Sequence, residues 1–273
     1  MAGSLVVVAT PIGNLADLSE RAAEALRTAD LVACEDTRRT STLLRHVGST
    51  VRMLATHEHN EAERAQEITR RIEEGETIAL VSDAGMPSVS DPGRRVVLAV
   101  RAAGLDVVVV PGASAVETAL VASGFPTDVF TFVGFFPRQR GQLGALLDRV
   151  EATGATVIGF ESPNRIAALL TSLAARDPER QVAVCRELTK MHEEVVVGTA
   201  VELARRFAGM VKGEITLVLA PREATEPDAA TLASAVAIAR AAGLPTGAAA
   251  DLIAAIGPWS RNDAYRALVA ARE

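Results

Sequence analysis

The chain has 273 residues, of which 49% are hydrophobic and 23% are charged, so it is long enough for one large or two smaller globular domains with a substantial core. The formal net charge of −6 argues against nucleic-acid binding by bulk electrostatics, so an RNA partner requires a local basic surface. The two cysteines, Cys34 and Cys185, lie far apart in the sequence, which argues against a metal knuckle or a redox pair. No signal peptide is found, and no apolar run approaches the ~20 residues of a membrane span. These observations together predict a cytoplasmic protein.

Short apolar runs alternate with helical patterns over the first part of the chain. Strands are predicted at residues 5–9, 29–34, 51–56, 77–81 and 106–110, and helices at residues 15–28, 38–46, 61–74 and 94–103. This alternation is typical of βα units on a mostly parallel sheet, and it predicts an N-terminal α/β domain over residues 1–123. Three predicted strands end in loops placed to serve one ligand, at residues 10–14, 82–93 and 111–115.

The pattern changes after residue 124, where five of the seven phenylalanines fall within twelve residues. Strands are predicted at residues 130–134, 156–160, 182–186, 194–198 and 214–220, and the short connections around the last two make them candidates for antiparallel pairing. We therefore predict a second α/β domain over residues 124–222. A polar linker leads to an alanine-rich helical appendage over residues 228–273, with breaks at residues 243–245 and 257–260 that divide it into three helices.

The loop at residues 81–93, here called the Ser-Asp loop, is the most informative segment. It follows a predicted buried strand and contains Ser-Asp-x-Gly twice, at Ser82–Gly85 and Ser90–Gly93. Its two glycines, two prolines and two aspartates predict a fixed loop that exposes amides and carboxylates to a ligand. The alternative is an ordinary turn cluster, but simple connections between a strand and a helix are shorter.

Other common chemistries find little support. No Gly-x-Gly-x-x-Gly, phosphate-binding loop, Gly-x-Ser-x-Gly or His-Glu-x-x-His pattern is present, which disfavours dinucleotide binding, a P-loop NTPase, an α/β hydrolase and a zinc protease. His57 and His59 suggest a metal site, but only two other histidines exist, so we predict no metal and favour a role in lining the site or capping a helix.

Two further polar segments follow predicted strands. Glu35 and Asp36 either contribute to the site or, through Asp36 or Thr37, cap the next helix. Residues 187–194 contribute to the site or form a solvated hairpin tip. Local RNA contacts are predicted at Arg38, Arg39, Arg138 and Arg140, with a solvated helix face or loop as the alternative for each.

Eight motifs fall in the order and spacing of the small-subunit ribosomal RNA methyltransferase I family, a branch of the tetrapyrrole methylase superfamily, which the chain resembles from residue 5 to about 220. They are Val8–Leu15, Glu35–Arg38, His57–Glu61, Leu80–Gly93, Pro111–Ala115, Phe160–Pro163, Arg186–Glu193 and Gly213-Glu214. The resemblance implies two α/β domains with S-adenosylmethionine in the cleft between them. It also implies methylation of a cytidine ribose 2′-hydroxyl in small-subunit rRNA, by a homodimer. Met86 and Ser88 depart from the family, which commonly has Thr and Gly there.

The resemblance also assigns residues to the donor site. The implied contacts are Pro11, Gly13, Asp83, Ala84, Gly85, Val89, Ser114, Ala115, Phe160, Glu161, Leu188 and Glu214. A ribose hydroxyl is a weak nucleophile, so a nearby base is expected. The candidate catalytic residues are Glu35, Asp36, His57, Glu187 and Lys190, and Glu161 is a further possible base.

Three other functions stay open from the sequence. A tetrapyrrole methyltransferase of the same fold would share the donor and bind a macrocycle, although the Glu35–Arg38 and His57–Asn60 motifs and the basic turn at Arg138 favour RNA. A non-catalytic, ribosome-associated RNA-binding module would ignore the donor. A nucleotide hydrolase is disfavoured because the phosphate loop is missing.

Overall fold

A computed structural model describes residues 3–222, 229–257 and 259–271 of the chain. The chain divides into two compact units, Met1–Pro221 and Arg222–Glu273. Both predicted sheets lie in the first unit, and the division of that unit between residues 123 and 124 stays a prediction. Within the described ranges, no helix combines the length and the apolar character that a membrane span requires.

The first sheet is entirely parallel, as its alternating pattern predicted. Its strands are β1 (Ser4–Val8), β2 (Leu31–Cys34), β3 (Arg52–Ala55), β4 (Thr77–Leu80) and β5 (Asp106–Val110), in the order β3-β2-β4-β1-β5. The helices that follow them in the chain are α1 (Glu20–Thr28), α2 (Thr37–His46), α3 (Glu61–Glu73), α4 (Arg94–Ala102) and α5 (Ala115–Ser123). Since β4, β1 and β5 are neighbours, the three loops predicted to serve one ligand leave the sheet side by side.

One helix boundary in this region was predicted wrongly. Residues 15–28 do not form a single helix: Leu15–Asp17 form a 3-10 turn, and α1 begins only at Glu20. The reason is local, because Ser19 adopts an extended backbone and its hydroxyl accepts a hydrogen bond from Ala22 N, which makes it the N-cap.

The second sheet is mixed. Its strands are β6 (Phe130–Phe135), β7 (Thr156–Glu161), β8 (Gln181–Arg186), β9 (Glu194–Thr199) and β10 (Ile215–Leu219), in the order β6-β7-β10-β8-β9. Helices α6 (Arg140–Glu151), α7 (Ile166–Arg176) and α8 (Ala200–Arg206) complete it. The suggested antiparallel pairing of the last two strands is wrong, because β9 and β10 lie on opposite sides of β8 and each runs antiparallel to it, so they run in the same direction as each other. Only β6 and β7 pair in parallel.

Helix α5 joins the two sheets into one unit. It follows β5 of the first sheet and packs against β7, β8 and β10 of the second. Its buried Val116, Ala119 and Leu120 share an apolar cluster with Ile12 and with inward-facing residues of the second sheet such as Ile158 and Val218. The loops after β1 and β5 are thereby held against the second sheet.

The second unit contains the predicted three-helix appendage. Its helices are α9 (Ala229–Ala241), α10 (Thr246–Ile256) and α11 (Arg261–Ala270), around a core that includes Val236, Ile253 and Leu268. Ser260 caps α11 by accepting a hydrogen bond from Asp263 N.

Candidate functional site

A cavity of about 810 Å³ lies in the first unit and is lined from both sheets. The first sheet contributes the Ser-Asp loop and the loop after β5, and the second contributes Phe132, Phe160 and the start of β10. A smaller cavity of about 330 Å³ adjoins it. The two share five lining residues, which are Ile12, Arg39, Asp83, Ala84 and Glu214. Both volumes are in the range of sites for small molecules.

Backbone hydrogen bonds tie the loop after β1 to the Ser-Asp loop. Thr10 and Gly85 exchange two of them, at 2.9 and 3.1 Å, and the Thr10 hydroxyl lies 3.3 Å from the carbonyl oxygen of Ser82. Asp83 is fixed from the other side, because its Oδ1 accepts a hydrogen bond of 3.1 Å from the Asp36 N–H at the end of β2. The floor of both cavities is therefore a single connected piece of backbone.

A glycine lets the loops of the two sheets touch. A Cβ placed on Gly13 would come within 2.5 Å of Lys190 Cγ and 3.0 Å of the Leu188 carbonyl oxygen. Real Cβ atoms do not approach that closely, so the loop after β1 packs on the loop after β8 only because residue 13 has no side chain. This explains the presence of glycine here in terms of packing rather than of turn formation.

The Ser-Asp loop holds strained backbone. Ser88 and Ser90 have φ values of 73° and 64°, in the left-handed region that residues other than glycine rarely adopt. The Ser88 hydroxyl is also buried without a hydrogen-bond partner. Residue 88 is one of the two positions that depart from the resembled family, which commonly has glycine there. Such strain is typical of functional sites.

Carboxylates dominate the larger cavity. Its described lining includes six of them, Glu35, Asp83, Asp91, Glu117, Glu161 and Glu214, against the single guanidinium of Arg39. Burial, reinforced by the charges of Glu35, Asp83 and Glu214, raises the pKa of Asp91 to about 6. Burial and the nearby Asp83 also raise the pKa of Glu35 above its usual range. Asp91 is not among the predicted site residues, although it belongs to the second Ser-Asp-x-Gly repeat.

Lys190 is held between two carboxylates at the edge of the smaller cavity. Its Nζ lies 2.8 Å from Glu187 Oε1 and 2.9 Å from Glu214 Oε2. Burial lowers the pKa of Lys190, but these two hydrogen bonds outweigh it and raise the pKa above its ordinary value. Glu187 reaches this position past Gly213, where any Cβ would lie 2.4 Å from Glu187 Cγ. Lys190 therefore carries its proton at neutral pH and contributes a positive charge.

All twelve residues expected to contact the donor line these two cavities. Pro11 and Gly13 line the smaller one, and the other ten line the larger one. Glu161 is buried, with its Oε1 accepting a hydrogen bond of 2.7 Å from Ser162 N and its Oε2 lying 3.2 Å from Arg165. Phe160 packs edge-on against Phe132 and Phe135 on the apolar side of the larger cavity.

The five candidate catalytic residues separate into two groups. Glu35 lines the larger cavity and Lys190 the smaller one, whereas Asp36, His57 and Glu187 line neither. Asp36 is the N-cap of α2, and its hydrogen bonds with the Arg38 side chain and backbone lower its pKa to about 2. His57 lies at the turn before α3, where its backbone N–H donates a hydrogen bond of 2.8 Å to Asn60 Oδ1. The described residues hold no cluster of His, Cys, Asp and Glu arranged for a metal ion.

Among the arginines considered for RNA contact, Arg39 is placed at the site itself. It borders both cavities, with its Nε 3.5 Å from Asp83 Oδ2 and 60% of its side chain exposed. The side chain of Arg38 is 89% exposed and pairs with Asp36 at 2.7 Å. Arg138 and Arg140 are exposed at the turn into α6.

Comparison with known proteins identifies related chains. The family described as Tetrapyrrole (Corrin/Porphyrin) Methylases matches residues 4–204. A protein of Mesorhizobium japonicum named ribosomal RNA small subunit methyltransferase I is 43% identical over 97% of this chain and 91% of its own. A protein of the same name from Halalkalibacterium halodurans is 44% identical over 83% of this chain and 79% of its own. The fold resembles that of uroporphyrin-III C-methyltransferase from Thermus thermophilus complexed with S-adenosylhomocysteine, with a TM-score of 0.55 and 19% identity over 79% of this chain and 96% of that one.

Proposed function

This chain belongs to the ribosomal RNA small subunit methyltransferase I family of tetrapyrrole methylases, and on that basis we propose that it methylates the ribose 2′-hydroxyl of a cytidine in small-subunit rRNA. It is an enzyme that uses S-adenosylmethionine as its methyl donor. The observation that carries the choice of acceptor is the identity to relatives of that name, which extends over 97% of the chain and so includes both sheets and the helical appendage.

The larger cavity fits the donor, which has a sulfonium, an ammonium group and a flat adenine. Carboxylates such as Asp83 and Asp91 favour the two cationic groups, and the faces of Phe132 and Phe160 offer an apolar wall for the adenine. The ten implied donor contacts that line this cavity, together with Asp91, are the residues that would hold it. When bound, the donor supplies a methyl group whose bond to sulfur breaks, with the electron pair left on sulfur, as the ribose oxygen attacks.

The protein then contributes alignment and a proton acceptor. Alignment in a rigid cleft supplies up to ~7–11 kcal/mol of the barrier reduction. Among the candidate bases, Glu35 is best suited to take the hydroxyl proton, because it lines the larger cavity and its pKa is raised towards neutrality. Lys190 already carries a proton, and the low pKa of Asp36 makes that carboxylate a poor acceptor.

RNA contact is proposed at Arg38, Arg39, Arg138 and Arg140, where exposed guanidinium groups offset the overall negative charge. We also propose that the enzyme is a homodimer acting in the cytoplasm, where its rRNA substrate is found. Support for a dimer comes from β5, which lies at the edge of the first sheet with Val108 and Val109 nearly half exposed. Size-exclusion chromatography with light scattering measures the assembly directly.

Methyl transfer to small ribosomal subunits that lack the modification tests the function. The purified protein with S-adenosylmethionine should add one ribose methyl group to a cytidine, which mass mapping of rRNA fragments detects. Asp83→Ala should abolish this transfer, whereas a non-catalytic RNA-binding module would tolerate that change. A porphyrinoid acceptor is the parallel arm, and methylation of the macrocycle instead of RNA would favour the tetrapyrrole alternative.

A further inference from the structure

The two adjoining cavities differ in charge, since one is acidic and the other is balanced. Six carboxylates and one guanidinium line the larger cavity, so it disfavours any anionic ligand. The smaller cavity has two cations, Arg39 and Lys190, to balance Asp83 and Glu214. It also carries four hydroxyl groups, from Thr10, Thr40, Thr42 and Ser82, and an apolar side formed by Pro11, Ile12, Leu15 and Leu43. A phosphate-bearing ligand with a polar edge and a flat apolar face matches the smaller cavity.

The cations of the smaller cavity are held in fixed but accessible positions. Lys190 is fixed by its two carboxylate partners at 2.8 and 2.9 Å. Within the described part of the chain, Arg39 has one ion-pair partner, Asp83 at 3.5 Å from its Nε, and 60% of its side chain is exposed. The guanidinium is therefore accessible to a phosphodiester, which an arginine can bind in a bidentate manner.

The five shared residues place the cavities side by side. Asp83 and Ala84 of the Ser-Asp loop border both cavities, together with Arg39. Ligands bound in the two cavities therefore lie next to one another at this shared border. Methyl transfer requires the ribose oxygen to come within about 3–3.5 Å of the methyl carbon, so the two ligands have to meet there.

We propose that the smaller cavity is the acceptor subsite, which takes one nucleotide of single-stranded RNA with Arg39 against its phosphodiester and the threonine hydroxyls against its polar groups. This assignment rests on the proposed function. Its volume of about 330 Å³ suits one nucleotide rather than a base pair, so the target nucleotide must be unpaired. The donor occupies the larger, acidic cavity, and the ribose oxygen meets the methyl group where the two cavities adjoin, beside Asp83.

Filling the smaller cavity tests this assignment. Thr42 is exposed on α2 and lines only the smaller cavity, so Thr42→Trp places a bulky ring there. Thr171→Trp is the matched control, because Thr171 is an exposed helical threonine on α7 that lines neither cavity. The readouts are binding of S-adenosylhomocysteine by calorimetry and kcat/KM for methyl transfer to small ribosomal subunits.

We expect Thr42→Trp to keep S-adenosylhomocysteine affinity within about twofold and to lower kcat/KM for the subunits at least about tenfold, while Thr171→Trp changes neither. Unchanged transfer in Thr42→Trp, or an equal loss of S-adenosylhomocysteine binding, overturns the subsite. If circular dichroism shows that Thr42→Trp is unfolded, Leu15→Trp fills the same cavity from the loop after β1 and decides by the same criteria. A wild-type protein that binds S-adenosylhomocysteine but methylates no RNA would instead refute the proposed function, and the subsite with it.

Discussion

Glu61 should be the residue that sets the position of the Ser-Asp loop. Helix α4 begins after Gly93, which has no side chain to cap it. The buried carboxylate of Glu61 on α3 takes that role, since its Oε1 accepts hydrogen bonds of 2.8 Å from both Gly93 N and Arg95 N. Each hydrogen bond to a charged group contributes about 1.5–3 kcal/mol, so the loss of both in Glu61→Ala should lower the free energy of unfolding by roughly 3–6 kcal/mol.

Two variants separate capping from general helix effects. Glu61→Gln keeps the accepting oxygen and loses the charge at the helix N-terminus, so we expect it to cost only about 1–2 kcal/mol. Glu63→Ala removes an exposed carboxylate in the same turn of α3 and should cost less than about 0.5 kcal/mol. Urea unfolding measures all three.

The capping role also has a consequence for binding. Asp91 is two residues before Gly93, so the loss of the cap should weaken S-adenosylhomocysteine binding about tenfold in Glu61→Ala while Glu61→Gln retains most of it. A Glu61→Ala protein as stable as Glu63→Ala, with unchanged affinity, would refute the reasoning.

Three other changes follow from the site. Ser88→Gly should raise the free energy of unfolding by about 1 kcal/mol, because relief of the left-handed strain and of the unpartnered hydroxyl outweighs the added freedom of the unfolded chain, and a lower urea midpoint would contradict this. The pKa of Asp91 is about 6 in the folded protein and about 4 in the unfolded chain, so its contribution to the free energy of unfolding is lost as the pH rises through 6. Asp91→Asn should lack this decrease in the free energy of unfolding, as measured by urea titrations between pH 4 and 7. Arg39→Met should lower the salt dependence of RNA methylation by about one unit of log–log slope, and Arg101→Met, an exposed arginine on α4, should leave the slope unchanged.

The sequence predicted most of the first sheet because its signals are local. Each βα unit has its own apolar run and its own helical period, and a parallel sheet follows from that alternation. Local signals also misled at residues 15–28, where apolar spacing suggested one helix and the capping preference of Ser19 prevailed. Strand pairing in the second sheet depends on contacts between distant segments, so the partner of β9 and β10 was not predictable from spacing.

The site shows the same division. The Ser-Asp loop could be selected from composition alone, and the residues expected to contact the donor all line the cavities. The ion cluster of Lys190 with Glu187 and Glu214 could not be predicted, because Glu214 is distant in the chain and lies at the start of a strand whose partners the spacing does not give. The resulting protonated state of Lys190, which argues against it as a base, depends entirely on that contact.

The separation of charge between the two cavities has a physical reason that the overall composition conceals. A net charge of −6 repels RNA, yet the same carboxylates favour a cationic donor when they are gathered in one cavity. RNA then needs cations only where its phosphodiester passes, and Arg39 and Lys190 supply them next to the acidic wall. Because Gly13 brings the Lys190 loop against the loop after β1, one small residue places the smaller cavity, with its two cations, beside the acidic one. Gly13→Ala should therefore impair transfer to RNA more than it impairs S-adenosylhomocysteine binding, and an equal loss of both would show that the loop contact serves the donor site instead.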